Sequence, residues 1–346
     1  MNKKNILIYN DHRSFPVVEQ LCLREEVQVI TLGEYGLDVL QQKNLSFIQL
    51  ESYQTPEVNQ RINQLVQQQV DQKFDQLGDA VLFEEFQDLL EGQEETTQNL
   101  RSQLREHLIN TIAVKEMFAE LNKQYPVNLV TVLDDWAGVL NVLVLCAKSC
   151  DIPTVMILHG TPGIENGRKT FADYFLVSGE YEKTFIPTVY GVDPENVIVT
   201  GNSAWDHYYD FAQSHQHIPK NEVPIITFLS TWGAGNFKDT LALKLRSFLA
   251  AVKKYREHDD LLVVVKIHPF GNIDINWHQT ICIEEGITDA LVTVESLDEY
   301  IFKSDIVIAP SATSTLIQAA MIGRPGLVMV DEFEAKIHTS HFSEKD

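Results

Sequence analysis

The chain has 346 residues, 44% hydrophobic and 22% charged, a globular composition too long for one ordinary core, so two domains of roughly 150–200 residues are expected. A formal net charge of −22 at pH 7 argues against a nucleic-acid binder, whose affinity is largely phosphate neutralisation, and gives no global attraction to an anionic membrane. The four cysteines are sparse, and Cys146 and Cys150, one helical turn apart, read as small apolar core residues of a reducing compartment. The apolar run near the amino terminus is five residues long, too short for a signal peptide, and no stretch nears the ~20 apolar residues of a membrane span. The expectation is a cytoplasmic protein.

In chain order, strands are predicted at 5–9 (NILIY), 27–32 and 45–50, with a helix from Val17 to about Arg24. The loop after the first strand carries Asp11, His12 and Arg13 and lacks the GxGxxG pattern of a dinucleotide site, so NAD is not expected. From about 56 to 125 the chain is rich in Gln, Glu and Leu. Apolar positions such as Ile62, Leu65, Val66, Val70 and Phe74 recur at three and four residues, and Gly78 and Gly92 divide the stretch into about three helices. This is read as an amphipathic helical insertion packed on the sheet. The open alternative is that its helices line an acceptor groove or meet a membrane or protein partner.

The stretch 127–163, VNLVTVLDDWAGVLNVLVLCAKSCDIPTVMILHGTPG, reads as strand, helix, strand. Two buried strands joined by a helix form a right-handed βαβ unit of a parallel sheet, whose ligands bind beyond the carboxyl ends of the strands. Asp134, Asp135 and His159 fall there. Strands at 171–177 and 197–200 follow, and the polar, His-rich stretch 204–223 reads as a linker. His207, His215 and His217 lack further ligands nearby, so a metal site is not expected. The second half repeats the alternation with strands at 224–229, 261–267, 290–294, 305–309 and 326–330. The domains are thus 1–203 and 224–346.

Four short motifs carry a resemblance. HGTPG closes a strand of the first half, while KIHP, the Ser/Thr-rich APSATSTL and GRP lie in the second. This pattern resembles the GT-B nucleotide-sugar transferases, in particular the CDP-glycerol glycerophosphotransferase (teichoic acid polymerase) group and related capsule-building enzymes. The resemblance implies an α/β fold of two Rossmann-like, doubly wound domains facing a cleft, the first binding the acceptor and the second the nucleotide donor. It implies His159 as acceptor base, and phosphate binding by the HP motif and the Ser/Thr-rich helix start. Bacterial sialyltransferases and polysialyltransferases are also similar, and in that reading the acidic pair supplies the base as Asp135. The acidic residue that binds the donor ribose in many GT-B enzymes is Gln318 here.

The residues support such chemistry on their own terms. Transfer from an activated donor needs a base for the acceptor hydroxyl and positive potential on the leaving phosphates. An imidazole with pKa near 6.5 is largely neutral at pH 7, which suits His159. Ser311, Thr313, Ser314 and Thr315 place hydroxyls and helix-start N–H groups in an anion site. Lys266 and His268 alternate with Ile267 and share a strand face. The Gly-rich turn with Ser230, Thr231 and Gly233 can cradle phosphate with backbone amides. No DxD-type metal motif is present, so neither metal nor cofactor is expected. The reading is an inverting, metal-independent glycosyl- or polyol-phosphate transferase of cell-surface polysaccharide synthesis, working in the cytoplasm or at the inner face of the membrane. Its substrates are a nucleotide-activated sugar or polyol donor and a saccharide or polyol-phosphate acceptor. Three alternatives stay open: a CMP-sugar (sialyl- or Kdo-type) transferase with Asp135 as base, a non-hydrolysing sugar-nucleotide 2-epimerase, and a non-catalytic partner subunit of the same fold.

Overall fold

Among the described residues, runs of β-branched and other apolar residues form twelve strands, and each falls where the sequence places one. The computed structural model describes residues 3–72, 97–135, 138–158, 170–214, 221–230, 237–268, 274–311 and 313–329. The chain divides into two units, Met1–Ala204 and Trp205–Asp346.

In the first unit the strands are β1 (Lys4–Tyr9), β2 (Val27–Leu32), β3 (Phe47–Gln49), β4 (Leu129–Val132), β5 (Thr154–Ile157), β6 (Tyr174–Val177) and β7 (Val197–Val199). Their spatial order is β3-β2-β1-β4-β5-β6-β7, and every pairing is parallel. Parallel neighbours need crossovers, supplied here by α1 (Phe15–Cys22), α2 (Leu37–Gln42), α3 (Pro56–Leu65), α4 (Thr97–Gln124), α5 (Gly138–Ser149) and α6 (Glu180–Tyr190). The sequence reading had no helix at α2. Leu7, Ile30, Val130, Met156 and Phe175 of successive strands are wholly buried under these helices.

Residues 56–72 and 97–124 form the described part of the helical insertion. Val58, Ile62, Val66 and Val70 recur every fourth residue and are buried with Val114, Met117, Phe118 and Leu121 of α4 in the same core as β1, β4 and α5. The first segment ends in a π-helical turn, Val66–Asp71. Ion pairs lace the outer side, with Arg61 3.1 Å from both Glu116 and Glu120, and Arg105 2.8 Å from Asp71. Phe74, Gly78 and Gly92 lie outside the described residues.

The second unit contains α7 (Asp206–Ser214), β8 (Ile225–Leu229), α8 (Phe237–Tyr255), β9 (Leu262–Lys266), α9 (Ile275–Glu284), β10 (Leu291–Thr293), α10 (Leu297–Lys303), β11 (Ile306–Ala309), α11 (Ser314–Met321) and β12 (Gly326–Val328). The strand order is β10-β9-β8-β11-β12, again all parallel. Leu241, Leu245, Phe248, Leu249 and Val252 make one buried stripe of α8 against Phe228, Val263 and Val265. Val263, Val264 and Val265 are buried in succession because both faces of this sheet are covered.

Two expectations are corrected. The start of the proposed linker is the helix α7, fastened to the second unit. Trp205 and Tyr208 are buried, the Tyr208 hydroxyl donates to Asp298, and Phe211 stacks on Phe302 at 4.1 Å. Polar composition hid this because the apolar contacts are three aromatic rings rather than an aliphatic stripe. Cys150 is exposed rather than core. Among the described residues no helix is long and apolar enough to cross a membrane.

Candidate functional site

In a doubly wound sheet, ligands bind beyond the carboxyl ends of the strands where the strand order reverses. In the second unit that point lies between β8 and β11. Beyond β11 comes the start of α11, whose cap residue Thr313 is extended and accepts the Thr315 N–H at 3.5 Å on its hydroxyl oxygen. Ser311, Thr313, Ser314 and Thr315 are all half-buried there. Lys244 of α8 donates to the Pro310 carbonyl at 2.5 Å and pins the approach to this turn. Gln318, one turn further on, buries a carbonyl oxygen that accepts no hydrogen bond. The helix start thus gathers four hydroxyls at a helix N-terminus, where the Thr315 and Leu316 N–H groups already donate to Thr313, an arrangement whose dipole suits an anion.

Lys266 ends β9, the neighbour of β8 on the other side, in register with Leu229. It is 4% exposed, and its ammonium donates to the Ile267 carbonyl at 2.6 Å. No carboxylate among the described residues offsets its charge. Burial alone pushes its pKa down. His268, half-buried two residues on, is pushed below the usual imidazole range by burial and then by the Lys266 charge. Lys266 and His268 thus lie close enough for the lysine charge to act on the imidazole.

Ser230 behaves differently from the expectation. Its side chain is buried and meets the ring of His278 on α9. His278 is wholly buried, with Nδ1 2.8 Å from the Asp274 carbonyl and Nε2 2.8 Å from Ser230 Oγ. A carbonyl can only accept, so Nδ1 carries the ring proton, Nε2 is the acceptor, and the Ser230 hydroxyl donates to it. That hydroxyl proton is not available to a phosphate, and the Ser230 backbone N–H, the amide expected in the cradle, donates to the Lys266 carbonyl at 2.8 Å. Thr231 and Gly233 lie outside the described residues. His278 gave no sequence signal, because it is a single histidine in a helix start of mixed polarity, INWHQT.

In the first unit the reversal lies between β1 and β4. Asp135, beyond β4, is 0% exposed, and one carboxylate oxygen accepts from Thr170 Oγ1 at 2.7 Å, Phe171 N at 2.5 Å and Ala172 N at 2.7 Å. Oδ2 thus ties the entry of β6 to the end of β4, a structural use of that oxygen, while Oδ1 is buried with no partner among the described residues. The three donors lie thirty-five or more residues away in sequence, so spacing could not reveal them. His159 lies outside the described residues, immediately after Leu158. Beyond β1, Asp11 accepts the Arg13 side chain on Oδ2 and its backbone N–H at 2.8 Å on Oδ1, and the guanidinium holds the carboxyl below its ordinary range against the pull of burial. Of the three histidines at 207, 215 and 217, only His207 is among the described residues, 3.2 Å from Asp298.

Two units with these strand orders define the two-domain α/β fold of the GT-B class. The solved UDP-GlcNAc 2-epimerase from Methanocaldococcus jannaschii matches 98% of this chain and 86% of its own at 12% identity, with a TM-score of 0.54. The same enzyme in complex with UDP-GlcNAc and UDP matches 98% and 86% at 11% identity, with a TM-score of 0.52. The wall teichoic acid polymerase TagF matches 99% of this chain and 72% of its own at 9% identity, with a TM-score of 0.43. No family model and no curated protein matches the sequence. At these identities the likeness is one of fold.

The placement of Asp135 and His278 has measurable consequences. Asp135→Ala leaves three donors without an acceptor and should destabilise the chain by about 3–5 kcal/mol, whereas Asp135→Asn keeps one acceptor oxygen and should cost about 1–3 kcal/mol. Urea titrations of both variants give these values, and an unchanged midpoint for Asp135→Ala would refute the structural role. His278 is held neutral, its pKa pushed down by burial against the pull of the Asp274 carbonyl and charge. The unfolded chain takes up a proton near pH ~6.5 that the native state refuses, so falling pH favours unfolding. Stability should therefore drop as pH falls below ~6.5, and His278→Gln should flatten that slope. Parallel slopes for the two proteins in urea melts would count against it.

Proposed function

We propose that the chain is a GT-B-type transferase that moves a glycosyl or polyol-phosphate group from a nucleotide-activated donor to a hydroxyl of a saccharide or polyol-phosphate acceptor. The second unit binds the donor, and the first supplies the acceptor and the base. One observation carries the reading: Lys266 is a buried cation with no carboxylate partner among the described residues, on the strand beside the point where strand order reverses. A buried charge is costly unless a partner meets it, and the phosphates of a nucleotide donor would be that partner. His268 and the first turn of α11 supply further anion contacts. Ser230 is left out of the phosphate site, since its backbone N–H donates to the Lys266 carbonyl and its hydroxyl serves His278.

In this mechanism His159 takes the proton of the acceptor hydroxyl as the donor's phosphate oxygen departs. Lys266, His268 and the helix-start N–H groups stabilise the charge that gathers on that oxygen. No metal is required, because the protein's own positive groups meet the phosphate. The HGTP and KxHP pairing links the reaction to cell-surface polysaccharide synthesis. A second reading, a sugar-nucleotide 2-epimerase, is favoured by the fold shared with the Methanocaldococcus jannaschii enzyme, solved in complex with UDP-GlcNAc and UDP. The two readings part on one point: the transferase consumes an acceptor, whereas the epimerase changes its sugar without one.

Lys266→Met replaces the ammonium with an apolar chain of similar length. It should leave the melting temperature of the free protein equal or higher and abolish the shift caused by CDP, CMP, UDP or GDP. For a nucleotide at 100 times its dissociation constant the lost shift corresponds to about 2.7 kcal/mol. A full nucleotide shift in Lys266→Met would move the donor site elsewhere.

His159→Ala should slow transfer about 10²–10⁴-fold while keeping the nucleotide shift, and wild-type transfer should continue in EDTA. Loss of transfer on chelation, restored by Mg²⁺, would reject the metal-free mechanism. A mild effect of His159→Ala would reject the base.

A further inference from the structure

The amino-terminal edge of the first sheet holds a cavity of about 530 Å³ that no step of the proposed reaction uses. Lys3, Lys4 and Asn5 at the start of β1, Gln28 of β2, and Tyr125 and Asn128 before β4 line it. Lys3, Lys4, Tyr125 and Asn128 are exposed and Asn5 and Gln28 half-buried, so the space is open to solvent. The sheet brings the group together: Asn5 is in register with Gln28, and the Asn128 N–H donates to the Asn5 carbonyl at 2.8 Å. Backbone groups orient two of the amides. Asn128 Oδ1 accepts the Asn5 N–H at 2.8 Å, and Asn5 Nδ2 donates to the Pro126 carbonyl at 2.9 Å. A backbone N–H can only donate and a carbonyl can only accept. Asn128 therefore keeps its NH₂, and Asn5 its Oδ1, for another partner.

The charge at this cavity runs against that of the chain. The whole protein carries a formal −22, yet two successive lysines line the space, and neither has a carboxylate partner among the described residues. Glu26 accepts the Lys4 N–H on its backbone carbonyl at 2.8 Å, but its carboxylate pairs with neither lysine. By contrast, Arg13, Lys43, Arg61 and Lys148 of the same unit each pair with a carboxylate. Two ammonium groups on flexible stems and an oriented amide NH₂ form a donor set for a dianionic phosphate. Gln28 Nε2 donates to the Val29 carbonyl at 3.3 Å, which leaves its Oε1, with Asn5 Oδ1, to accept from hydroxyls. The exposed Tyr125 ring offers a face for the C–H side of a sugar, and the volume falls in the range of small-ligand sites.

We propose that this edge binds a phosphorylated sugar, with its phosphate monoester held by Lys3, Lys4 and the Asn128 amide and its hydroxyls donating to Asn5 and Gln28 beside the Tyr125 ring. The six residues of β1 separate it from the carboxyl edge of the same sheet by about 20 Å. It is therefore a second site, apart from the reaction centre, and it stands whether or not the transferase reading does.

The test is isothermal titration calorimetry on the full chain, both wild type and Lys266→Met, the latter lacking the proposed donor contact of the second unit. The probes are glucose 6-phosphate, galactose 1-phosphate, N-acetylglucosamine 1-phosphate and plain glucose. At least one ester should bind both proteins equally, and glucose should give no heat. Asn128→Asp keeps an oxygen for the Asn5 N–H and puts a charged oxygen where the NH₂ was. That variant, and the double variant Lys3→Met with Lys4→Met, should each weaken ester binding about tenfold or more, the effect of losing one charge-assisted bond, with circular dichroism unchanged. Sedimentation with phosphatidic acid vesicles separates a lipid headgroup from a free ester, and the chain, at a net charge of −22, should stay in solution. No heat from any ester, equal binding of glucose, or undiminished binding in both variants would overturn the proposal. So would esters that bind the wild type but not Lys266→Met, which would place them at the donor site, or retention on the vesicles without binding of the free esters.

Discussion

Parallel pairing throughout is the constraint on which the rest of this molecule depends. A parallel ladder cannot be closed by a hairpin, so each strand is followed by a crossover, and the crossovers cover both faces of the sheet. All carboxyl ends then emerge along one edge, and every loop there starts from buried, rigid backbone. That is why Ser230, Lys266 and the start of α11, which are scattered over some eighty residues of chain, lie around one reversal of strand order. The same rule places Asp11 and Asp135 along the corresponding edge of the first unit, and Lys4, Gln28 and Asn128 along the opposite one.

Within that frame, the fate of buried charge separates supporting groups from groups poised for a ligand. Asp135 and Lys266 are both buried charged side chains at strand ends, and both look functional in sequence. Asp135 has three donors on Oδ2, while its Oδ1 is buried with no partner among the described residues. Lys266 has one carbonyl and no opposite charge among the described residues. Desolvation works against both, but Asp135 Oδ2 has three donors whereas no carboxylate among the described residues meets Lys266.

His278 shows how a buried polar contact can redirect a neighbour's chemistry. With its Nδ1 proton committed to the Asp274 carbonyl, the ring must accept from Ser230, and Ser230 becomes an anchor between β8 and α9 instead of a phosphate donor. The bond also links the end of β8 to the start of α9.

The sequence alone determined the alternation of elements, the parallel character of the sheets and the two-unit plan. Short β-branched runs, buried on both faces and separated by helical periodicity, admit few other folds. It also located Lys266, His268 and the Ser311–Thr315 turn, because each sits where an apolar run stops and a loop begins. Helix α7 was illegible, since it is held by Tyr208 and Phe211 against Asp298 and Phe302, about ninety residues away. Tertiary structure alone decided that Asp135 Oδ2 accepts from residues 170–172, that Ser230 faces His278, and that Asn5 and Asn128 bond to each other beside Lys3 and Lys4. Each of these depends on which side chain a distant segment brings within hydrogen-bonding reach, and spacing along one strand or helix carries no record of that.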